Sequence, residues 1–382
     1  MTEFLPYGRQ TLDEADIEAV VATLREPMIT QGPRVDAFEA EIAARVGADY
    51  AIAFSSGTAA LHGAAAAAGL GPGDEVLTTP LSFVASANCA LFVGARPRFA
   101  DVDAETYNLD AAAAIAAGAA DGVKACVPVS LTGLPADLKP LQELRERGML
   151  VIEDACHALG ARRHGRPVGG DGLADMYVFS THPVKTITTG EGGVVVTDDE
   201  ELADRLRVFR THGIRRGGGD GVLGGGWHYD VESLGFNYRI TDFQCALGRS
   251  QLRNLEAFVT RRNEIAVAYR EALAGLDGIA LPAEAPEGDR HAYHLFVVRF
   301  EEGAERRRTV YDRLREKGIG TQLHYIPIYR HSLYRSLGYG DDPGRFPNTE
   351  RYYEQALSLP MFPGMGPADV RRVADALAAE LA

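Results

Sequence analysis

One stretch near the middle of the chain, residues 176–198 (MYVFSTHPVKTITTGEGGVVVTD), most constrains what this sequence can fold into. It predicts a buried strand at 176–180, a polar loop, a glycine turn and a second apolar strand at 194–197. The loop carries a single lysine, Lys185. A lysine between two apolar strands can be a phosphate ligand, a buried ion-pair partner or a lysine that forms a Schiff base. We interpret Lys185 as a Schiff-base lysine, and this hypothesis requires supporting residues elsewhere in the chain.

Strand and helix patterns alternate before this stretch. Short apolar runs are followed by helical patterns, which predicts an α/β fold with a mainly parallel sheet covered by helices on both faces. Sheets of this kind bind ligands beyond the carboxyl ends of their strands. Three polar features fall at such ends: residues 56–58, 153–154 and 180–185.

The turn Ser56-Gly57-Thr58 leads from a strand into a helix, and it predicts a phosphate site because the first N–H groups of a helix are free. It matches neither the GxGxxG nor the Walker pattern, so a dinucleotide or ATP site is not indicated. Asp154 ends another strand. A carboxylate at that position either caps a helix or holds a cationic ring nitrogen, as in enzymes that use pyridoxal phosphate (PLP).

PLP needs a phosphate cup, an acid for its ring nitrogen, a side chain that stacks on its ring and a lysine for its aldehyde. The chain offers the glycine turn, Asp154 and Lys185 in this order, each beyond a predicted strand. Phe83 and His157 are the candidates for the stacking side chain. The combination favours a PLP enzyme more strongly than any single feature does.

Composition argues against several other classes of protein. The net charge of −14 over 382 residues disfavours nonspecific binding to nucleic acid or to anionic membranes. The four cysteines form no CxxC pair, so we expect no metal site and reduced thiols. We find neither a signal peptide nor an apolar run of the ~20 residues that a membrane span needs, and we expect a cytoplasmic protein.

We predict two domains: an N-terminal arm with a large PLP-binding domain at 1–250, and a smaller α+β domain at 251–382. A long helical stretch at 241–273 is expected to connect them. In the segment 215–226, seven of the twelve residues are glycine. This segment is either a plain linker or a mobile loop that acts as a lid or a dimer contact.

Longer motifs extend over nearly the whole chain: TQGPRVDAFE, SGTAALH, GPGDEVLTTPLSFVASANC, GARPRFADVD, EDACHALGA, FSTHPVKTITTGEGG, GFNYRITDFQCALG and LSLPMFPGM. With these motifs the sequence resembles the DegT/DnrJ/EryC1/StrS family of PLP-dependent nucleotide-sugar aminotransferases. The resemblance implies the type I (aspartate-aminotransferase-like) fold, PLP as cofactor, L-glutamate as amino donor, a nucleotide-linked keto sugar as acceptor, and a homodimer with shared active sites.

Within the family, YGRQ, SFVASANCAL and HPVK are most similar to the C4 aminotransferases of pseudaminic acid biosynthesis. That subgroup implies a UDP-linked 4-keto-6-deoxy-N-acetylhexosamine as substrate. The ITTGEGG segment is shared with perosamine-type synthases, and Thr186 stands where proline is expected in the first subgroup. A GDP- or dTDP-linked sugar, and C3 in place of C4, therefore stay open.

The resemblance also implies roles for single residues. Lys185 forms the Schiff base and moves a proton, and Asp154 holds the pyridine nitrogen. Phe83 stacks on one ring face, while His157 lies against the other face or near the ring oxygen. The phosphate is bound by Gly57, Thr58 and Ser180, and by Asn237 of the partner subunit. The candidates for contacts with the nucleotide sugar are Tyr7, Arg9, His182, Arg239, His324 and Tyr325.

Other interpretations of these residues and of the chain have to be weighed. Tyr325 could belong to the core, His182 could brace the lysine loop, and Arg239 could pair with an acid. Sugar 3-dehydratases of the same family replace the lysine, typically with histidine, so Lys185 argues against that activity. A regulator or binding protein would need a helix-turn-helix segment or a basic face, and the sequence has neither.

Overall fold

The computed structural model describes residues 3–216, 227–340 and 342–381. The glycine-rich residues 217–226 lie outside this description, so their assignment as a linker or a lid stays a prediction.

Helices form the largest part of the regular secondary structure in the described residues. In chain order the α-helices of the described residues are α1 (Glu14–Leu24), α2 (Pro33–Val46), α3 (Gly57–Ala67), α4 (Ala85–Phe92), α5 (Ala111–Gly118), α6 (Gln142–Glu146), α7 (Glu200–Arg210), α8 (Asp242–Arg253), α9 (Leu255–Ala272), α10 (Ala304–Glu316), α11 (Ser332–Ser336), α12 (Pro347–Gln355) and α13 (Pro367–Leu381). Side-chain caps fix where several of them begin: Ser56 caps α3, and Asp13 and Thr241 form capping boxes at α1 and α8.

The strands form one large sheet and three small ones. In chain order they are β1 (Tyr50–Phe54), β2 (Glu75–Thr78), β3 (Arg96–Phe99), β4 (Val123–Val127), β5 (Leu150–Asp154), β6 (Arg162–Arg163), β7 (Arg166–Pro167), β8 (Met176–Ser180), β9 (Gly193–Thr197), β10 (Ile214–Arg216), β11 (Tyr229–Val231), β12 (Ile279–Ala280), β13 (Phe296–Phe300) and β14 (Ala356–Leu359). The two strands predicted around Lys185 correspond to β8 and β9.

The large sheet has seven strands in the order β1-β9-β8-β5-β4-β2-β3. The pairs from β8 to β3 are parallel, whereas β9 is antiparallel to both β8 and β1. Six strands therefore run in one direction and β9 alone runs against them. The predicted α/β fold with a mainly parallel sheet is confirmed, and β9 is the one strand of this sheet that runs in the opposite direction.

Helices cover both faces of this sheet, which is why its strands are apolar on both sides. Along β9, Val194 and Val196 pack in a core with Phe38 and Ile42 of α2, whereas Val195 packs on the opposite face with residues of α3. The alternation of successive residues between two cores is the expected result of a buried central strand.

The C-terminal part has a separate antiparallel sheet, β12-β13-β14, and its own core. The stretch predicted as one helix at 241–273 is two helices, because the chain breaks at Asn254 between α8 and α9. Helix α9 contributes Val259 to the core of the large sheet and Tyr269 to the C-terminal core. The division at 250/251 stays a prediction, since α9 belongs to both cores.

The topology brings the predicted polar features together. Strands β1, β5 and β8 run in the same direction, so their carboxyl ends lie at one edge of the sheet. The turn into α3 follows β1, Asp154 is the last residue of β5, and Ser180 is the last residue of β8. This edge is where a ligand-binding site is expected.

Candidate active site

A cavity of about 290 Å³ opens at this edge of the sheet. Eleven of the residues that the sequence analysis singled out line it: Tyr7, Gly57, Thr58, Phe83, Asp154, His157, Ser180, His182, Lys185, His324 and Tyr325. They come from the N-terminal arm, from the large sheet and from residues after β13, so the fold assembles them from distant parts of the chain.

The N-terminus of α3 forms one end of the cavity. The Oγ of Ser56 accepts a hydrogen bond from the N–H of Ala59, and the first N–H groups of the helix, at Gly57 and Thr58, have no intrahelical partner. A Cβ on Gly57 would lie 3.0 Å from the Cβ of Ser180, so a larger residue would fill the space between helix and strand. The positive end of the helix and the Ser180 hydroxyl fit a phosphate group.

Asp154 lies beside this helix end and is buried. Its Oδ2 accepts a hydrogen bond of 2.6 Å from Ser86, and its Oδ1 accepts one of 3.2 Å from the N–H of Cys156. Within the described residues, no lysine, arginine or histidine nitrogen lies within 4.0 Å of this carboxylate. A carboxylate has about four acceptor positions, so Asp154 can accept a further N–H from a ligand.

Lys185 lies in the loop between β8 and β9, with its side chain half-buried at the cavity. Burial lowers the pKa of its amine, while the nearby Cys156 and Asp154 act in the opposite direction. An amine of this kind releases its proton more readily than a solvated lysine. It can therefore act both as a nucleophile and as a carrier of protons.

The threonines and glycines after Lys185 fix the loop. Thr188 donates a hydrogen bond of 3.1 Å to the carbonyl of Thr181, and the hydroxyls of Thr181 and Thr189 are 2.6 Å apart. A Cβ on Gly192 would lie 2.3 Å from both of these hydroxyl oxygens. Only glycine fits at that position, and this accounts for part of the TTGEGG motif.

An uncharged wall of histidine and tyrosine faces the lysine. The hydroxyl of Tyr325 is 3.2 Å from the Nε2 of His157, and the ring of His294 lies 4.3 Å from that of His157. Burial lowers the pKa of His157 well below its ordinary value, and it lowers that of His324 to about 3. These rings are neutral at physiological pH, so they place no positive charge beside Lys185. The buried Arg262, whose Nη1 donates a hydrogen bond to the carbonyl of His294, makes a smaller contribution that also lowers the pKa of Lys185.

Phe83 forms a second wall of the cavity, which adjoins the first wall at Tyr325. Its side chain is 54% exposed although it is large and apolar, and its ring centroid lies 6.1 Å from that of Tyr325. An exposed aromatic ring beside a cavity is suited to stacking on a flat ligand. Together with the helix end, Asp154 and Lys185, this wall gives a set of residues that fits PLP.

Three predicted residues do not line this cavity. The guanidinium of Arg9 lies 5.0 Å from the ring centroid of Phe362, and Arg9 is exposed. Asn237 is exposed and bridges to Thr211, and Arg239 lines a different cavity of about 410 Å³. Arg9 instead lines a small neighbouring cavity together with Lys185. Asn237 and Arg239 line neither of these two cavities, so a contribution from them to the site would have to come from a partner subunit.

The structure adds residues that the sequence analysis did not assign. Ser82, Cys156, Glu191 and His294 line the cavity, and Ser86 lies outside it, bonded to both Asp154 and Ser82. Ser82 and Ser86 stand in the SFVASANC motif on either side of Phe83, and Cys156 and Glu191 stand in the EDACH and TGEGG motifs. The motifs pointed to the segments, but only the fold shows which of their residues face the site.

Two kinds of feature are absent from the described residues. No cluster of three or more histidine, cysteine, aspartate or glutamate side chains is arranged to hold a metal ion. No helix in residues 3–216, 227–340 and 342–381 combines the length and the apolar character needed to cross a membrane.

Comparison with known proteins connects this geometry to a family. The sequence model of the DegT/DnrJ/EryC1/StrS aminotransferase family matches residues 10–378. The spore coat polysaccharide biosynthesis protein SpsC of Bacillus subtilis (strain 168) is 39% identical over 379 residues, which cover 98% of this chain and 96% of SpsC.

Solved structures agree over the whole chain. Helicobacter pylori PseC, an aminotransferase involved in the biosynthesis of pseudoaminic acid, superposes with a TM-score of 0.91 at 29% identity and covers 99% of both chains. The putative sugar aminotransferase Spr1654 of Streptococcus pneumoniae, in its PMP-form, gives a TM-score of 0.92 at 28% identity, again over 99% of both chains. Spr1654 has also been solved in a PLP-form, so the type I fold and the expected cofactor are confirmed. The chain thus belongs to the DegT/DnrJ/EryC1/StrS aminotransferase family and is a PLP-dependent sugar aminotransferase.

Proposed function

We propose that the enzyme transfers the amino group of L-glutamate to the C4 keto carbon of a UDP-linked 4-keto-6-deoxy-N-acetylhexosamine. The observation that carries the proposal is the presence of Lys185 in one cavity with Asp154 and the N-terminus of α3. The choice of C4 and of UDP is supported by the YGRQ and HPVK motifs and by the similarity to PseC.

When bound, PLP would supply an aldehyde that can carry the amino group from the donor to the keto carbon. The N–H groups of Gly57 and Thr58 and the hydroxyl of Ser180 bind the phosphate and thereby fix the ring. Asp154 holds the proton of the ring nitrogen, which makes the ring an electron sink. The amine of Lys185 would take a proton from the donor carbon in the first half of the reaction and would deliver a proton to the sugar carbon in the second half.

The two walls position the ring and exclude water. Phe83 covers one face of the ring, and His157 lies against the other face, oriented by Tyr325. Because His157 and His324 are neutral, they contribute hydrogen bonds and shape and add no charge beside the lysine. The proposed contacts to the sugar come from Tyr7, His182, His324 and Tyr325.

We also propose that the active unit is a homodimer in which each subunit completes the site of the other. Both L-glutamate and a nucleotide sugar carry two or more negative charges. Among the described residues that line the cavity, Lys185 is the only lysine or arginine. Asn237 and Arg239, which lie elsewhere in the same chain, are the residues that a second subunit would bring to the phosphate and the substrate.

The surface of α1 supports an association between two copies. Its polar residue Asp16 is buried and bonded to Gln251, whereas Ile17 and Leu24 are 50% and 53% exposed. Leu234 and Trp227, near the Asn237 segment, are exposed to an even greater extent. A helix that turns its apolar side chains to solvent is typical of a surface that another molecule covers.

The absorbance spectrum of the purified enzyme tests the donor half of the reaction. Addition of L-glutamate should convert the visible band of bound PLP into the near-ultraviolet band of the amine form. A panel of UDP-, dTDP- and GDP-linked keto sugars then tests the acceptor, with the amino product identified by mass spectrometry and its position by NMR. Faster turnover of a GDP- or dTDP-linked sugar, or amination at C3, would overturn the proposed substrate.

Subunit complementation tests the shared site. Lys185→Ala and Asn237→Ala homodimers should each be impaired, and mixed dimers should regain one intact site, which amounts to about a quarter of wild-type activity after random exchange. Recovery is expected only if Asn237 acts on the cofactor of the other subunit. No recovery in proven heterodimers would place both residues in one chain's site and overturn the shared arrangement.

A further inference from the structure

The carboxylate of Asp154 is held by two serines to which the sequence analysis gave no role. We propose that Ser86, supported by Ser82, is a positioning residue that fixes Asp154 for its contact with the ring nitrogen. The inference rests on the role proposed for Asp154 and goes beyond it, because it assigns a function to the start of α4.

The three side chains form a continuous hydrogen-bonded chain. The Oγ of Ser86 is 2.6 Å from the Oδ2 of Asp154, and the Oγ of Ser82 is 2.8 Å from the Oγ of Ser86. Ser86 is 0% and Ser82 is 3% exposed. Ser86 is also absent from the lining of the cavity, so water is not available as an alternative partner for its hydroxyl, whereas Ser82 borders the cavity.

The direction of these hydrogen bonds follows from the number of protons. A hydroxyl has one proton to donate, and an ionised carboxylate only accepts. The Ser86 proton goes to Asp154, because this contact is shorter and charge-assisted, whereas the carbonyl of Phe83 is 3.3 Å away. Ser82 must then donate its own proton to Ser86.

The two oxygens of Asp154 are held from different directions. Ser86 binds Oδ2, and the backbone N–H of Cys156 binds Oδ1 at 3.2 Å. Donors on both oxygens prevent rotation of the carboxylate about its Cβ–Cγ bond. In the described part of the chain no cationic side chain contacts Asp154, so these neutral donors set its orientation, and a positively charged ring nitrogen would be its only cationic partner.

The same segment carries the proposed stacking residue. Phe83 lies between Ser82 and Ser86 in sequence, and its ring is half exposed and has little packing of its own. The Ser82–Ser86–Asp154 chain thus attaches the backbone around Phe83 to strand β5. One set of hydrogen bonds therefore fixes both the carboxylate of Asp154, which faces the ring nitrogen, and the segment that carries Phe83, which covers the ring.

The test compares Ser86→Ala with Asp154→Asn and with a matched control. In Ser86→Ala, kcat should fall about tenfold to a hundredfold, the range expected when a hydrogen bond to a charged group is removed. The KM for L-glutamate should stay within about twofold, since Ser86 does not line the cavity. The visible band of bound PLP should shift in the same direction as in Asp154→Asn, but less far.

Ser82→Ala serves as a second variant in case Ser86→Ala folds poorly, and it should show the same band shift with a smaller loss of kcat. Ser250→Ala removes a buried serine hydroxyl from α8 that does not line the cavity, and it should leave the band and kcat unchanged. A Ser86→Ala enzyme with a lower melting temperature but wild-type band and kcat would reduce Ser86 to a structural role and overturn the inference. An unchanged band in Asp154→Asn would instead overturn the role of Asp154 itself, and the inference with it.

Discussion

The two ends of the active-site cavity differ in how firmly their residues are held. At the cofactor end (Gly57, Thr58, Asp154 and Lys185), the groups come from a helix N-terminus, a central strand and a loop fixed by threonine hydroxyls. At the mouth (His182 and Glu191), the side chains are exposed, and the Nε2 of His182 lies 4.0 Å from the Oε1 of Glu191.

This difference indicates that the two ends have different roles: one holds the cofactor, and the other admits and binds the substrate. Groups that must meet the cofactor at fixed positions are built from buried elements and have defined partners. Groups at the mouth are free to adapt to the sugar, and the residues missing there are those we assign to the partner subunit. Changes at the cofactor end should therefore affect chemistry and stability, and changes at the mouth should affect substrate binding.

The largest effect is expected at Lys185. Lys185→Ala removes both the nucleophile and the proton carrier, so turnover should fall by about a thousandfold or more while the fold is retained. Turnover is measured with L-glutamate and keto sugar, and the fold by circular dichroism. Lys124→Ala changes an exposed lysine on β4 and should be neutral. Retained amino transfer in Lys185→Ala would contradict the mechanism.

A buried network of ion pairs contacts strand β5, which ends in Asp154. Arg163 lies 2.7 Å from Glu153, the neighbour of Asp154, and 2.5 Å from Asp171, and all three side chains are buried. Arg163→Met leaves two buried carboxylates without their cation and should destabilise the protein by about 3–5 kcal/mol.

Chemical unfolding measures this change in stability. Arg147→Met is the matched control, because it breaks an exposed ion pair with Glu143 and should cost less than about 0.5 kcal/mol. Equal losses in the two variants would show that the buried network gives no special support to the strand that ends in Asp154.

Gly57 tests how closely the phosphate end is fitted. Gly57→Ala adds a Cβ at 3.0 Å from the Cβ of Ser180, so we expect the affinity for PLP to fall about tenfold, equivalent to ~1.4 kcal/mol. Equilibrium dialysis of the apoenzyme against PLP measures it. Gly71→Ala has open space around the new Cβ and should bind PLP normally. An unchanged affinity in Gly57→Ala would mean that the phosphate lies elsewhere.

The neutral histidines predict a pH-dependent stability. Burial lowers the pKa of His291 and of His324 to about 3, so the folded protein does not protonate them at pH 5.5. The unfolded chain does, because its histidines titrate near 6.5. Stability is therefore complete above about pH 7.5 and decreases as the pH falls, by about 1.4 kcal/mol per such histidine at pH 5.5.

Urea unfolding at pH 8.0 and at pH 5.5 measures this loss. His291→Gln should reduce the difference between the two pH values, whereas His164→Gln changes an exposed histidine and should leave it unaltered. A midpoint that does not change with pH in the parent protein would show that these histidines are not held neutral.

The sequence allowed more to be predicted at the cofactor end than at the mouth, for physical reasons. The strands around Lys185 and the turn at Gly57 are encoded locally, by apolar runs and by a helix cap. The reversed direction of β9 and the bond from Ser86 to Asp154 depend on how distant segments pack, and no local pattern reports them. Arg9 is the clearest example, because only the fold shows that it packs on Phe362.

The smallest effect is expected at the mouth. Glu191 is an exposed carboxylate at the entrance to a site for anionic substrates. Glu191→Gln removes that repulsion, so the KM for the nucleotide sugar should fall about two- to fivefold, with little change in kcat and a weaker effect at high salt. Steady-state kinetics at two ionic strengths measure this, and Glu201→Gln on the surface of α7 serves as the control. A rise in KM would mean that Glu191 binds the substrate directly, and the mouth would then be a specific site like the cofactor end.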